Sequence, residues 1–157
     1  LIGIRVTRVN AFFVALVLSQ VGVNAEFLES ILYSSEIQVI VTGGSTPGQT
    51  TDNLAVEFAK ELGCDYIINI TSTGGVYTED PKINPNARKL ERVKGSELIR
   101  MWGLEHQPGL NLPIEPRAVD TAIAYRIRIY VIGPKIEDLE KIIRGRNDFD
   151  GTLVLPE

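Results

Sequence analysis

Two stretches of the chain gather residue types that can do chemistry. The first is Thr42-Gly43-Gly44-Ser45-Thr46-Pro47-Gly48-Gln49-Thr50-Thr51-Asp52. It follows a short β-branched run, Ile37 to Val41, and leads into helical spacing. Glycines let a backbone approach a ligand closely, and Ser45, Thr46, Thr50 and Thr51 offer hydroxyls. The free amides of a helix start favour an anion. The same residues also make a well-capped strand-to-helix turn, with Thr51 or Asp52 as the cap. Local composition leaves both readings open. A Walker-type phosphate loop is excluded, because no Gly-Lys-Ser/Thr follows the glycines.

The second stretch is Thr71-Ser72-Thr73-Gly74-Gly75-Val76-Tyr77-Thr78-Glu79-Asp80-Pro81, again directly after an apolar run. Tyr77 offers a ring on which a nucleobase stacks. Asp80 can hold a hydroxyl, or position a metal through water. The alternative is structural: Tyr77 packs into the core and Asp80-Pro81 starts a turn.

Other reactive side chains are few, which narrows the chemistry. One cysteine excludes an internal disulfide framework and a multi-thiolate zinc site. One histidine excludes His-rich metal binding and argues against a Ser-His-Asp triad. A net charge of −4 argues against binding nucleic acid through its phosphates. Arg117, Arg126 and Arg128 therefore read as solvated or ion-paired. Cys64 reads as a small packing residue, Trp102 as the end of an apolar helix face, and His106 as an exposed loop residue.

The elements that must position these residues follow from periodicity. Helical spacing is expected over Asn10–Gln20, Glu26–Tyr33, Asp52–Leu62, Ser96–Trp102, Glu115–Arg126 and Ile136–Arg144. Strands are expected at Ile37–Val41, Tyr66–Ile70, Arg128–Ile132 and Thr152–Leu155. Apolar residues nearly surround Asn10–Gln20. Arg5, Arg8 and Asn10 interrupt the opening run, so it reads neither as a signal peptide nor as a charge-free membrane span. The 157 residues show no repeat or low-complexity linker and are expected to form one domain, or part of one. Alternating strand and helix implies a mostly parallel sheet with helices on both faces. In such folds ligands gather beyond the carboxyl ends of strands, where both loops lie.

Together these segments resemble the amino-acid-kinase superfamily and, within it, the archaeal-type uridylate (UMP) kinases. The resemblance runs from Leu1 almost to the last residue. Its pieces come in the family's order: Gly3-Ile4-x-x-Thr7-Arg8-x-Asn10-Ala11, Gly43-Gly44-x-x-Pro47-Gly48-x-Thr50-Thr51-Asp52, Thr71, Gly75-Val76-Tyr77, Asp80-Pro81, Pro116-x-Ala118 and Gly151-Thr152. The Pro-Gly-x-Thr-Thr-Asp loop is the specific part.

The resemblance implies a three-layer α/β sandwich with a mostly parallel sheet, a hexamer, and transfer of the ATP γ-phosphoryl group to UMP; with one cysteine the reducing cytoplasm is the default expectation. Ser45, Thr46, Pro47, Gly48, Gln49, Thr50 and Thr51 would lie against UMP. Thr71, Ser72, Tyr77 and Asp80 would line the ATP site, and Mg²⁺ would be bound through the phosphates. The family's leading strand, its Lys-x-Gly-Gly-Ser loop and a nucleoside-binding Asp would all fall before Leu1. The chain is thus expected to be the carboxyl-terminal part of such a domain. Inside the chain the family's Thr-Asn-x-Asp-Gly-Val-Tyr is Thr71-Ser72-Thr73-Gly74-Gly75-Val76-Tyr77, and its Asp-Pro-x-Ala-x-Lys is Glu115-Pro116-Arg117-Ala118-Val119-Asp120. A lysine near transferring phosphate stabilises it and a carboxylate repels it. Weak activity of this chain alone is expected. The competing expectation is a non-catalytic nucleotide- or anion-binding assembly subunit of the same fold.

Overall fold

A computed structural model describes residues 2–30, 36–104 and 112–157. The chain divides into two compact units, Leu1–Leu54 and Ala55–Glu157.

The first unit has one long helix, α1 (Ile2–Gln20), and two short strands, β1 (Ala25–Phe27) and β2 (Val39–Val41). The strands pair in parallel, with Ala25 opposite Val39 and Phe27 opposite Val41. Ala11 and Ala15 are the buried residues of α1, and such small side chains let a helix lie close on a sheet. Phe12 meets Phe27 edge-on at 6.3 Å between ring centroids. The Ser19 hydroxyl lies 3.0 Å from the Ala15 carbonyl and 3.3 Å from that of Ala25.

Two expectations are corrected in this unit. The helix starts at Ile2 rather than Asn10, because Arg5 and Arg8 break the apolar pattern but not helical geometry. Glu26 and Phe27 are strand, not the start of a helix. Only three residues pair there, too few for a period-two signal, and pairing with β2 decides their state. Leu28 to Ser30 are not helical either, and 31–33 lie outside the described residues.

The apolar surround of α1 has a consequence. Phe12, Phe13, Val14, Leu16 and Val17 cannot all face one thin sheet, and all five are exposed, Phe13 by 65%. By length and composition α1 would also suffice to cross a membrane. Its Arg8, however, is tied by hydrogen bonds to the loop after β2, which a spanning helix would have to release.

The second unit is a four-stranded sheet in the order β3-β5-β6-β4, with β3 at Tyr66–Ile70, β4 at Arg92–Lys94, β5 at Arg128–Ile132 and β6 at Gly151–Leu155. The β3–β5 and β4–β6 pairs are parallel and β5–β6 is antiparallel. Three of the four pairings in the two sheets are therefore parallel. β4 has no counterpart among the expected strands. Its Arg-Val-Lys buries only Val93, and charged side chains suit an edge strand.

Side chains of β5 alternate between two cores. Ile129 and Val131 face one with Val56, Leu98, Val119 and Val154; Tyr130 and Ile132 face the other with Ile142 and Leu153. The first core is closed by α2 (Thr51–Leu62), α3 (Gly95–Trp102) and α4 (Pro116–Ala124), the second by α5 (Ile136–Ile143). This is the expected three-layer α/β sandwich, and burial on both faces explains why β5 reads as a continuous apolar run. Pro116 sits in the first turn of α4, where its missing N–H costs nothing.

Cys64 is exposed, contrary to its expected packing role. Its backbone does the work there. The Cys64 N–H donates to the Ala59 carbonyl and closes the end of α2, which leaves the thiol outside.

Candidate functional site

In the first unit the loop after β2 is built against α1. A side chain at Gly43 would begin 2.6 Å from the Arg8 backbone nitrogen, so only glycine fits this approach. The Gly44 N–H donates to Thr7 Oγ1 at 2.9 Å. Arg8 donates through Nε to the Gly44 carbonyl (2.9 Å) and through its Nη2 to the Ser45 carbonyl (3.1 Å). Its other terminal nitrogen pairs with Glu29 at 2.9 Å. The Thr7-Arg8 pair singled out in the sequence thus has a positioning role: it fixes the entrance of the loop.

The loop then turns. The Gln49 N–H donates to the Thr46 carbonyl, with Pro47 and Gly48 at the two central positions and Gly48 at φ +86°, a type II turn. The Ser45 hydroxyl donates to Gln49 Oε1. Thr50, rather than Thr51 or Asp52, caps α2: its Oγ1 accepts from the Asn53 N–H at 3.3 Å. Thr46, Pro47, Gly48, Thr50 and Thr51 are exposed, and Ser45 and Gln49 half-buried. The loop offers a row of accessible hydroxyls and amides at a helix start.

The second unit contains a cavity of ≈ 370 Å³. Thr73, Gly75, Tyr77, Thr78, Glu79, Asp80 and Pro81 form one wall, and Met101, Trp102, Leu112 and Pro113 line it from the end of α3 and the approach to α4, together with Ile83 and Asn84. It lies beyond the carboxyl end of β3, where parallel-sheet topology places ligands. A volume of a few hundred Å³ suits a small molecule, and two aromatic rings with two carboxylates, Glu79 and Asp80, suit a flat heterocycle bearing hydroxyls.

The second loop supplies much of the cavity wall, and Tyr77 stands outside both core clusters. Tyr77 is half-buried and lines the cavity, with the Lys89 ammonium 5.8 Å from its ring centre. Asp80 lines the cavity and also starts a turn: its Oδ1 accepts from the Lys82 N–H at 2.8 Å. Thr71 and Ser72 are not among the lining residues. Thr71 shapes the turn instead, through Thr73 Oγ1 at 2.8 Å and the Gly74 N–H at 3.2 Å, and Ser72 is exposed.

Sequence reasoning missed Met101 and Trp102 as lining groups. Trp102 does pack against the first core, as expected, yet it also faces the cavity. The available signal was its place at a helix end before a long loop. Residues 105–111, His106 among them, lie outside the described residues. Asp120 is exposed on α4. The two loops do not follow strands of one continuous sheet, as topology alone suggested: β2 belongs to the two-stranded sheet and β3 to the four-stranded one.

At the foot of the cavity wall is a charged cluster. Asp150 pairs with Lys89 at 2.6 Å and Lys135 at 3.0 Å; these hydrogen bonds hold its carboxyl below the ordinary range, and the bond to Asp150 raises the pKa of the Lys135 ammonium. Asp138 is buried and accepts from the Asp150 N–H at 3.0 Å. That bond, ahead of Lys141 at 3.1 Å, lowers its pKa against the opposing effect of burial.

The amino acid kinase family's sequence model matches residues 1–133. The uridylate kinase of Pyrococcus abyssi is 36% identical over 160 residues, which span 99% of this chain and 70% of that protein. That of Metallosphaera sedula is 36% identical over 153 residues, 92% of this chain and 67% of the other. The crystal structure of uridylate kinase from Archaeoglobus fulgidus superposes with a TM-score of 0.80 at 31% identity, covering 98% of this chain and 70% of that one. A UMP kinase from Bacillus anthracis superposes at 0.78 with 21% identity, a likeness of fold, covering 99% of this chain and 68% of the other.

Proposed function

The chain belongs to the amino acid kinase family, and from that premise we propose a UMP kinase-like role. ATP occupies the cavity bounded by Tyr77, Asp80 and Trp102, and UMP lies against residues 45–51. The observation that carries this reading is the cavity itself. Its two aromatic side chains and Asp80 suit adenine and ribose, and it stands beyond β3 within the segment that resembles the family's ATP site. On this reading Tyr77 and Trp102 hold the base, Asp80 orients the sugar, and Thr71 keeps the turn in shape. The Ser45, Thr46, Thr50 and Thr51 hydroxyls and the amides at the start of α2 hold the acceptor nucleotide. Among the described residues no cluster of three or more His, Cys, Asp or Glu side chains is arranged to hold a metal. Mg²⁺ would then come with the phosphates, where it offsets their charge.

The catalytic power of this chain alone is low on the same reading. Ser72 and Gly74 replace an amide and a carboxylate of the family pattern, and Asp120 stands in place of a lysine. Losing one preorganised donor to developing charge costs about 10²–10³ in rate. These replacements favour a second reading, a nucleotide- or anion-binding subunit of an assembly. Both readings take the assembly to be a homo-oligomer, a hexamer by family resemblance, in the cytoplasm; in the first it serves pyrimidine nucleotide synthesis.

Trp102 is the only tryptophan, so its fluorescence reports on the cavity. Saturable quenching by MgATP is the expected result, and its absence would refute the cavity assignment. A coupled assay for UDP then separates the two readings. Turnover near an ordinary enzyme rate of about 10 s⁻¹ would overturn the expectation of low activity and the second reading with it.

A further inference from the structure

Thr152 is fully buried, and its single hydroxyl is used twice. Oγ1 accepts from the Val76 N–H at 2.8 Å and donates to the Leu90 carbonyl at 2.6 Å. Val76 and Leu90 are themselves paired, the Leu90 N–H donating to the Val76 carbonyl at 2.9 Å. Further out the Thr78 N–H donates to the Arg88 carbonyl at 2.9 Å, and the Arg88 N–H to Thr78 Oγ1 at 3.1 Å. Residues 76–78 and 88–90 therefore form a small ladder that carries Tyr77 to the cavity, with Asp80 just beyond it. The inner end of that ladder rests on Thr152.

The support is stiff where it begins. Thr152 lies on β6, which is paired on both sides, with β5 and with β4. A side chain at Gly75 would start 3.0 Å from Thr152 Oγ1, so the hydroxyl also fills the space beside the residue preceding Val76. Two positions back on the same strand approach, Asp150 grips Lys89 from the solvent side, and the Lys89 ammonium lies over the Tyr77 ring.

We propose that Thr152 is a positioning residue of the cavity: its buried hydroxyl fixes the ladder to the central sheet and thereby sets where Tyr77 and Asp80 stand. The inference rests on the reading of the cavity as the ATP site. Thr152 touches no ligand in it and acts through Val76 and Leu90.

The test uses the full chain and four variants. Thr152→Val keeps the shape and removes the hydroxyl, leaving the buried Val76 N–H and the half-buried Leu90 carbonyl without this partner. Thr152→Ser restores the hydroxyl. Ile142→Val trims the opposite core and serves as a destabilised control. Thr152→Cys keeps a group of similar size at the same place but weakens both hydrogen bonds, since a thiol is a weak donor and acceptor. Titrating Trp102 fluorescence with MgATP, Thr152→Val is expected to weaken binding about tenfold, Thr152→Ser and Ile142→Val less than about twofold. Amide hydrogen exchange without ligand is expected to speed up across 76–80 in Thr152→Val and not in Ile142→Val. Unchanged affinity and unchanged exchange in Thr152→Val would overturn the proposal. If that variant does not fold, Thr152→Cys decides by the same two measurements, with a smaller loss of affinity and faster exchange across 76–80 expected and no change in either overturning the proposal. If the unmodified chain shows no saturable quenching, the ATP reading fails, and exchange across 76–80 alone decides the role of Thr152.

Discussion

The two candidate loops are held in place by opposite means. Residues 42–52 are gripped from outside: Arg8 and Thr7 on a largely exposed helix bind the carbonyls and amide of Gly44 and Ser45. Residues 75–80 are gripped from inside, through one buried hydroxyl on a central strand. The first grip joins half-exposed groups that water can replace, so it costs little to open. The second would leave the Val76 N–H, which is fully buried, without its partner. A loop of the first kind can adapt to its ligand. A loop of the second kind presents a fixed shape.

The largest effect should separate the units by their cores. Ile129 is buried between β5 and the helices of the second unit, and α1 of the first unit exposes most of its apolar side chains. Ile129→Ala is expected to cost about 2–5 kcal/mol. Phe13→Ala, at an exposed site, should change folding stability by less than about 0.5 kcal/mol. Urea unfolding of both variants checks this. Equal losses would mean that α1 is covered in solution. Light scattering on the unmodified chain tests the same surface: oligomers are expected, because eight exposed large apolar side chains on one helix are more than a monomer commonly presents to water.

How legible each region was follows the same division. The strands β3 and β5 could be read residue by residue, because burial on both faces writes a continuous apolar run into the sequence. The antiparallel insertion of β6 between β5 and β4 could not, since pairing partners leave no mark on a five-residue run. β1 was misread because Glu26 and Phe27 are strand only through their pairing with β2. At the site, Tyr77 and Asp80 were identifiable because they stand in a motif. Trp102 was identified as packing, and its second face became visible only once α3 was placed at the mouth of the cavity. Thr71, which the resemblance places at the ATP site, bonds within the turn beside the cavity wall, a placement that residue type does not encode.

The next effect concerns the outer grip. Gly43→Ala puts a carbon within 2.6 Å of backbone that cannot swing aside as a flexible side chain would. The expected cost is about 1–3 kcal/mol. It should appear as easier proteolysis of residues 42–50, with the Trp102 response to MgATP unchanged. Altered Trp102 titration would show that the two loops are coupled. Arg8→Ala is milder, because Gly44 keeps its bond to Thr7 and water can solvate the freed carbonyls. A loss of about 1 kcal/mol is expected. Its exposed pair with Glu29 contributes little to that figure.

The smallest effect lies beneath the inner grip and shows itself only in acid. Asp138 is 3% exposed and accepts the Asp150 N–H, the bond that steadies the start of β6. That bond and Lys141 hold its carboxyl below the ordinary value of 3.8, although burial opposes them. A carboxyl whose pKa is lowered on folding adds stability that is complete above its unfolded value. The contribution is lost as pH falls through the folded one. Near neutrality Asp138→Asn should therefore be only mildly destabilising, because the amide oxygen still accepts from Asp150. Below about pH 3.8 the unmodified chain loses this contribution and the variant has none to lose, so their stabilities should converge. Urea midpoints measured from pH 7 down to pH 2 decide it. A gap that stays constant to the lowest pH would mean that Asp138 is not charged in the folded chain, and that the foot of the wall rests on the neutral hydrogen bond alone.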